Sequence, residues 1–163
     1  MDFLNSAAID SNIEIFIKLS LALFFGATLG LERIFAHRTA GPRTYALVSM
    51  GSALLIIVSE LVIKNYQIAT GTFFDPLRVA SNIVVGIGFL GTGIIVFKDS
   101  TPVGITTAAG LWLAAGIGMA IGFGLYLPAF IATILTLFIF TILFNIEESL
   151  LRVHDGKPPH PHR

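Results

Sequence analysis

Five long apolar stretches constrain this chain more than any single motif does. They lie at about residues 13–31, 44–63, 77–97, 102–122 and 126–146. At about 1.5 Å per helical residue, each is long enough to cross a hydrocarbon core of about 30 Å. With 55% hydrophobic and 12% charged residues, the chain lacks the polar surface of a soluble domain. The sequence therefore predicts an all-α integral membrane protein, a bundle of about five transmembrane helices.

The fourth and fifth stretches are separated only by residues 122–125, which leaves one alternative open. A single long bent segment, or a re-entrant piece, would cover both stretches. Tyr126 and Pro128 favour a new helix, since proline is well tolerated in a first turn. We therefore expect five spans, with residues 1–146 as the membrane domain and residues 147–163 as a short polar cytoplasmic tail.

The basic residues predict the orientation of these helices. Most fall in the first connection, the third connection or the tail: Arg33, Arg38, Arg43, Lys98, Arg152, Lys157 and Arg163. Lys64 and Arg78 lie toward the opposite side. Because cytoplasmic loops carry the excess of lysine and arginine, the N-terminus is expected outside and the C-terminus in the cytoplasm. Asp2, Asp10 and Glu14 stand where a cleaved signal peptide would be basic, so the first stretch is expected to stay in the mature protein.

The third stretch combines a membrane-length apolar run with polar residues and glycines. Asp75 and Pro76 predict a helix start, because aspartate accepts the free backbone donors there and proline has none. A helical period places six residues on one face: Arg78, Asn82, Val85, Gly86, Phe89 and Gly93. Such a face is expected to lie inward, against a neighbouring helix.

Gly86, Gly88 and Gly91 also match the G-x-G-x-x-G pattern of dinucleotide-binding turns. That pattern requires a strand before the first glycine and an acidic residue about 20 positions later. These glycines instead lie in the middle of an uninterrupted apolar run. Helix packing is the better interpretation. No cofactor or metal is expected: the chain has no cysteine, and although His154, His160 and His162 could bind a transition metal, histidines in a polar terminal tail are more often incidental.

Small residues at a spacing of four predict close helix packing. Gly26 and Gly30 form one such pair and Gly118 and Gly122 another, which Thr106, Gly110 and Ala114 extend backward along the fourth helix. Packing within one subunit is favoured over a role in conduction. The same packing role is predicted for the glycines of the third helix: Gly86, Gly88, Gly91 and Gly93.

Charged residues gather near the predicted helix ends. Glu32, Arg33 and Arg43 belong to the cytoplasmic group, and an ion pair between Glu32 and Arg43 is expected because an ionised group at the hydrocarbon boundary needs a partner. Such residues usually fix helix ends. For Arg78 and Asn82 a binding or gating role is nearly as plausible, and the candidate functional polar face comprises Asp75, Arg78, Asn82, Thr106, Thr107 and Trp112.

Four motifs carry a family resemblance. They are residues 26–33 (GATLGLER), 40–48 (AGPRTYALV), 78–93 (RVASNIVVGIGFLGTG) and 104–112 (GITTAAGLW). In this order they resemble the MgtC/SapB family of bacterial inner-membrane proteins, whose five-helix arrangement has its N-terminus outside. Asn82 and Val85 depart from the glutamine and serine usual in that family. The resemblance covers only the membrane domain, since longer members carry a further cytoplasmic domain.

The resemblance implies a link to growth in low magnesium, to virulence through survival inside macrophages, and to restraint of the F-type ATP synthase. A non-enzymatic regulator that contacts another membrane complex is therefore the first hypothesis, and an ion or small-solute conduit for magnesium, protons or an anion is the second. An intramembrane enzyme ranks last, because no plausible base or metal set lies in the spans. The expected partners are the lipid bilayer and a second copy of the chain; a net charge of zero predicts no nucleic acid.

Overall fold

The computed structural model describes residues 2–35, 38–70, 75–98 and 100–143, and the side chains of 11–34, 38–65, 75–98 and 100–143. This part of the chain contains five α-helices: α1 (Asp2–Phe35), α2 (Pro42–Thr70), α3 (Leu77–Ile94), α4 (Ile105–Gly122) and α5 (Tyr126–Phe138). A π-helical turn, Ile139–Leu143, continues α5. Strands β1 (Val96–Lys98) and β2 (Thr101–Val103) form an antiparallel hairpin between α3 and α4.

All five helices contain a stretch apolar and long enough to cross a membrane. These stretches are Ser11–Ile34, Pro42–Asn65, Leu77–Ile94, Ile105–Gly122 and Tyr126–Leu143. The shortest have 18 residues, which corresponds to about 27 Å of helix. The expectation of an all-α membrane protein with five spans is confirmed. The predicted tail at 147–163 lies outside the described residues.

Helix α4 forms the centre of the bundle, because half of its membrane stretch is buried. It packs against each of the other helices. Its buried residues occupy several directions around the helix axis, as expected for a helix surrounded by protein. The two flanking helices, α3 and α5, are each mostly exposed on the outside of the bundle.

Helices α1, α2 and α4 are held together by matching small-residue faces. On α2 the buried residues Tyr45, Ser49 and Ala53 recur at a spacing of four. Gly26 of α1 lies against one side of this face, and a Cβ built on it would be 2.6 Å from the Tyr45 carbonyl oxygen. Gly118 of α4 lies directly against the Ser49 carbonyl from the other side. The absence of side chains lets three backbones approach closely.

The α4–α5 connection separates two helices. Gly124 has a φ of 74°, in the region that favours glycine, and it ends α4 with a backbone bond from its N–H to the Ile121 carbonyl. Phe140 then lies beside Gly110, so α5 runs back along α4. Five separate spans are present in place of a single bent segment.

The third and fourth spans are shorter than the sequence indicated. Helix α3 ends at Ile94 and α4 begins at Ile105, with the hairpin between them. Pro102 and the β-branched residues around it favour extended backbone. Gly104 restarts the helix with a φ of 99°, and a Cβ there would lie 2.5 Å from the Ile94 carbonyl oxygen.

The expected orientation of α3 is wrong within this chain. Its buried residues are Ile83, Ile87 and Gly91, whereas Val85 and Phe89 are 73% and 80% exposed. The branched side chains fill the space beside Ala115 and Ile56. The face that was expected inward, from Arg78 to Gly93, therefore lies on the outside of the bundle.

Candidate functional site

A groove between α2 and α3 contains three of the predicted polar residues. The two helices touch each other little, since α3 packs mainly on α4. The space left between them measures about 640 Å³ and is lined mainly by leucine, isoleucine and valine. Asn82, Ser52 and the open glycines Gly51 and Gly86 also line it.

This space continues toward the beginning of α3. A second recess of about 510 Å³ is lined by Asp75 and Arg78 of the α3 end and by Ser59 and Val62 of α2. Leu55 and Val79 line both recesses, and the two together are called the α2–α3 groove below. The groove is thus apolar along its length, with an acid and a base at one mouth.

The α3 end is organised by Asp75. Its side-chain Oδ1 accepts a hydrogen bond from the Leu77 N–H at 2.9 Å, as the sequence predicted for a capping aspartate. The helix itself starts at Leu77, just after Pro76. Arg78 stands one residue further on and is exposed, so its guanidinium reaches the surface instead of the bundle interior.

A second polar cluster lies at the opposite end of the bundle, around Arg33. This arginine is only 2% exposed. Its Nε and Nη2 donate to Glu32 Oε2, and its guanidinium carbon lies 3.5 Å from the centre of the Phe140 ring. Nη2 also lies 3.5 Å from the Phe140 carbonyl oxygen. One buried cation therefore joins α1 to the π-helical turn after α5.

Tyr45 extends this cluster to α4. Its ring meets the Phe140 ring edge-on, with centroids 6.5 Å apart, and its hydroxyl donates to the Thr107 carbonyl oxygen at 3.3 Å. Gly110 leaves the room for that hydroxyl, because a Cβ there would collide with it. We call Glu32, Arg33, Tyr45, Thr107 and Phe140 the Arg33 cluster.

The expected ion pair between Glu32 and Arg43 is wrong. Glu32 pairs with its neighbour Arg33, and Arg43 is exposed on α2. The reason is burial: Arg33 cannot reach water from its position between α1 and α5, so the nearest carboxylate compensates its charge, whereas an exposed Arg43 is hydrated.

The candidate polar face predicted from the sequence is not one site. Gly91, near the end of α3, faces Ala108, near the start of α4, and the earlier Ile83 and Ile87 pack with the later Ala115. Helices α3 and α4 therefore run antiparallel. Thr107 therefore lies at the end of the bundle opposite Arg78, and it is buried in the Arg33 cluster. Thr106 and Trp112 are exposed on α4 and belong to neither place.

The glycines divide in the same way. Four lie against α2 or the residues that precede it: Gly26, Gly30, Gly118 and Gly122. Gly91 faces α4. A Cβ on Gly86, Gly88 or Gly93 would meet nothing within 4 Å among the described residues, so these three do not mediate packing inside this chain.

Sequence reasoning missed Tyr45 and Phe140. Phe140 lies 107 positions from Arg33, and no local pattern distinguishes it from the other aromatic residues of an apolar helix. Tyr45 lies in the 40–48 motif, and Tyr45, Ser49 and Ala53 follow one another at intervals of four, which is a signal for a shared helix face. Among the residues that the structure describes, no group of three or more histidine, aspartate or glutamate side chains is arranged to hold a metal ion.

Residues 19–149 match the MgtC family. This match covers most of the chain, from within the first span to beyond the end of the fifth. The chain belongs to the MgtC family. The resemblance seen in the four motifs is thereby confirmed, and the protein is a multi-pass membrane protein of that family.

Named relatives agree with this assignment. The chain is 36% identical over 138 residues to the putative magnesium transporter YhiD of Escherichia coli K12, an alignment that covers 85% of this chain and 64% of YhiD. It is 46% identical over 92 residues to the protein MgtC of Brucella abortus, covering 56% of this chain and 35% of that protein. The chain thus spans less than two thirds of these relatives. No solved structure matches it significantly.

Proposed function

We propose that this MgtC family member is a non-enzymatic membrane regulator that docks another membrane protein along the outward face of α3. Its activity is then linked to magnesium limitation, to stress survival or to control of the ATP synthase. Its relative YhiD is named a putative magnesium transporter, which supports the link to magnesium. An inner-membrane location is part of the same proposal, supported by the family relationship.

The composition of the outward face carries this proposal. It presents small and hydroxyl residues around two large apolar ones: Ser81, Val85, Gly88, Phe89 and Thr92. Glycine, serine and threonine are enriched where membrane helices meet, because they let backbones approach. Here these residues are exposed, whereas the buried side of α3 carries Ile83 and Ile87 with one glycine, Gly91. A second helix seated on this face would gain the close contact that the single chain leaves unused.

The face needs no polar partner to be stable before docking. Ser81 Oγ donates to the Arg78 carbonyl and Thr92 Oγ1 to the Gly88 carbonyl, each at 2.8 Å. Hydroxyls that bond to their own helix remain available for exchange to a neighbour. The face can therefore exist against lipid and against a partner.

Gly88→Leu tests the proposal. The leucine side chain would hold an approaching helix away, while nothing in the chain itself lies within 4 Å of this position. We expect the crosslinked partner to be lost from membranes of cells grown in low magnesium, together with the low-magnesium growth phenotype. Gly116→Leu is the matched control, since Gly116 also has open surroundings but lies on α4.

An unchanged crosslinked partner and unchanged growth in Gly88→Leu would overturn the proposal. Gly118 and Gly122 are unsuitable for this test. Both lie against α2, so leucine there is expected to disrupt the bundle whether or not a partner binds.

A second copy of the chain is the alternative occupant of the same face, which would make the protein a homo-oligomer. Two copies meeting along α3 would bury Val85 and Phe89, whose exposure in one chain is 73% and 80%. The molecular mass of the purified protein in nanodiscs measures this. A wild-type dimer that becomes a monomer in Gly88→Leu supports self-association. If the wild type and Gly88→Leu are both monomers, the face is assigned to a different protein.

Transport is the second candidate function, and the α2–α3 groove is the observation that favours it. Arg78 and Asn82 line this groove, and YhiD is named a putative magnesium transporter. The groove opens to the side of the bundle, so a path along it needs a second copy as its other wall. Magnesium and proton flux into liposomes that is lost in Arg78→Ala would favour transport over regulation.

A further inference from the structure

We propose that the α2–α3 groove binds one zwitterionic phospholipid with a primary-amine headgroup. In this arrangement one acyl chain lies along the groove, the phosphate contacts Arg78 and the ammonium group contacts Asp75. The inference uses other residues than the docking proposal: on α3 the groove is lined by Asn82, Gly86 and Leu90, whereas the docking face presents Ser81, Gly88 and Thr92 on the adjoining side of the helix. Arg78 stands where the two meet.

The shape of the groove fits an acyl chain. On α2 its lining extends from Leu47 to Ile63, which corresponds to about 24 Å of helix at about 1.5 Å per residue. One leaflet of a bilayer with a hydrocarbon core of about 30 Å is about 15 Å deep. A whole acyl chain therefore fits in the groove below a headgroup at its mouth.

The volume and the walls support the same occupant. Each recess, at about 640 and 510 Å³, falls within the range of about 300–1,000 Å³ that small-molecule sites occupy. Most lining residues are leucine, isoleucine or valine, and the others are two glycines, the polar residues Ser52, Ser59 and Asn82, and the charged pair Asp75 and Arg78 at the mouth. Apolar walls at membrane depth favour a hydrocarbon chain over a polar ligand.

The charges at the mouth select the headgroup. Arg78 presents a planar set of N–H donors that matches phosphate oxygens. Asp75 uses Oδ1 to accept from the Leu77 N–H, and a carboxylate has further acceptor capacity for a cation. Since both residues line the same recess, an anionic headgroup would meet attraction and repulsion together, whereas a zwitterion satisfies both charges.

Native mass spectrometry of the delipidated full chain tests this with equal amounts of phosphatidylethanolamine, phosphatidylcholine and phosphatidylglycerol. We expect one bound lipid per chain and at least a tenfold preference for phosphatidylethanolamine over the other two. Phosphatidylcholine shares the charges but has no N–H to donate to Asp75. Equal binding of the three lipids would overturn the headgroup assignment.

Three variants locate the site. Arg78→Gln should lower phospholipid binding at least tenfold. Asp75→Asn should remove the preference for phosphatidylethanolamine while keeping the helix cap, because asparagine caps as well as aspartate does. Gly86→Leu should fill the groove and abolish binding, since Gly86 lines it and has nothing within 4 Å. Gly116→Leu, on α4, should bind lipid as the wild type does.

The same variants distinguish a bound lipid in the groove from the competing occupant, another membrane helix, and they also test this inference apart from the docking proposal. If another membrane helix fills the groove, Gly86→Leu will change the oligomeric state or the crosslinked partner without changing the number of bound lipids, and the proposal is then wrong. Gly88→Leu should keep its lipid even where it loses its partner, and Gly86→Leu should keep its partner. The lipid readout and the partner readout are therefore independent, so the lipid proposal can fail while the docking proposal holds, and the reverse.

Discussion

Gly116 and Gly118 lie two residues apart on α4 and have opposite surroundings. A Cβ on Gly118 would fall on the Ser49 carbonyl, which belongs to the α2 backbone and cannot rotate away, whereas a Cβ on Gly116 would meet nothing within 4 Å. The same residue type is thus required at one position and replaceable at the other. Spacing alone identified Gly118; its partner became visible only in the fold.

Gly118→Ala is expected to destabilise the protein by about 1–3 kcal/mol, the usual cost of overpacking a tight contact. Gly116→Ala should cost nothing, because alanine is the better helix former. The difference is measured as the melting temperature of each purified variant in detergent, read from the loss of the folded peak in size-exclusion chromatography. Equal melting temperatures would show that α2 and α4 are not in this contact.

Arg33 illustrates a charge that the bundle has enclosed. Arg33→Met should destabilise the protein by about 3–5 kcal/mol, because it leaves the mostly buried Glu32 without its cation. The double variant with Glu32→Gln should recover much of this loss. Melting temperatures in detergent test both, and identical values for the single and double variants would contradict the pairing.

Arg43→Met serves as the control for the Arg33 experiment. Arg43 is exposed, and substitutions of exposed residues usually change the free energy of unfolding by less than about 0.5 kcal/mol. A large effect of Arg43→Met would support the ion pair with Glu32 that the sequence predicted, and would contradict the pairing of Glu32 with Arg33.

At the scale of elements, α3 and α4 differ in how much protein surrounds them. Only 17% of the α3 membrane stretch is buried, against 50% for α4. Both have 18 residues and both are apolar, so their existence followed from sequence. Their boundaries did not, because the hairpin at 96–103 depends on a strand pair and on the conformation of Gly104.

Helix α3 is expected to open locally before α4. Because fewer contacts hold it, its backbone amides should exchange with deuterium at least tenfold faster, a difference of about 1.4 kcal/mol. Hydrogen-exchange mass spectrometry in detergent compares peptides from the two helices, with α5, which is 22% buried, as a control for detergent shielding. Equal exchange in α3 and α4 would contradict the expectation.

At the scale of the whole molecule, the orientation in the membrane stays a prediction from the basic residues. The chain has no cysteine, so single cysteines report it directly. With the N-terminus outside, a membrane-impermeant maleimide should label Lys64→Cys in intact cells and Thr101→Cys only after permeabilisation. Both positions are exposed. The reverse labelling pattern would show that the C-terminus is outside.

The sequence by itself determined the class of protein, the number of spans and the family, because apolar length and motif order are local properties of the chain. Only the tertiary structure decided which side of α3 is inside and which residues surround Arg33. In a membrane, lipid and protein interior are both apolar, so apolar periodicity cannot tell one side of a helix from the other. Contacts such as Arg33 with Phe140, 107 positions apart, arise only when the helices assemble.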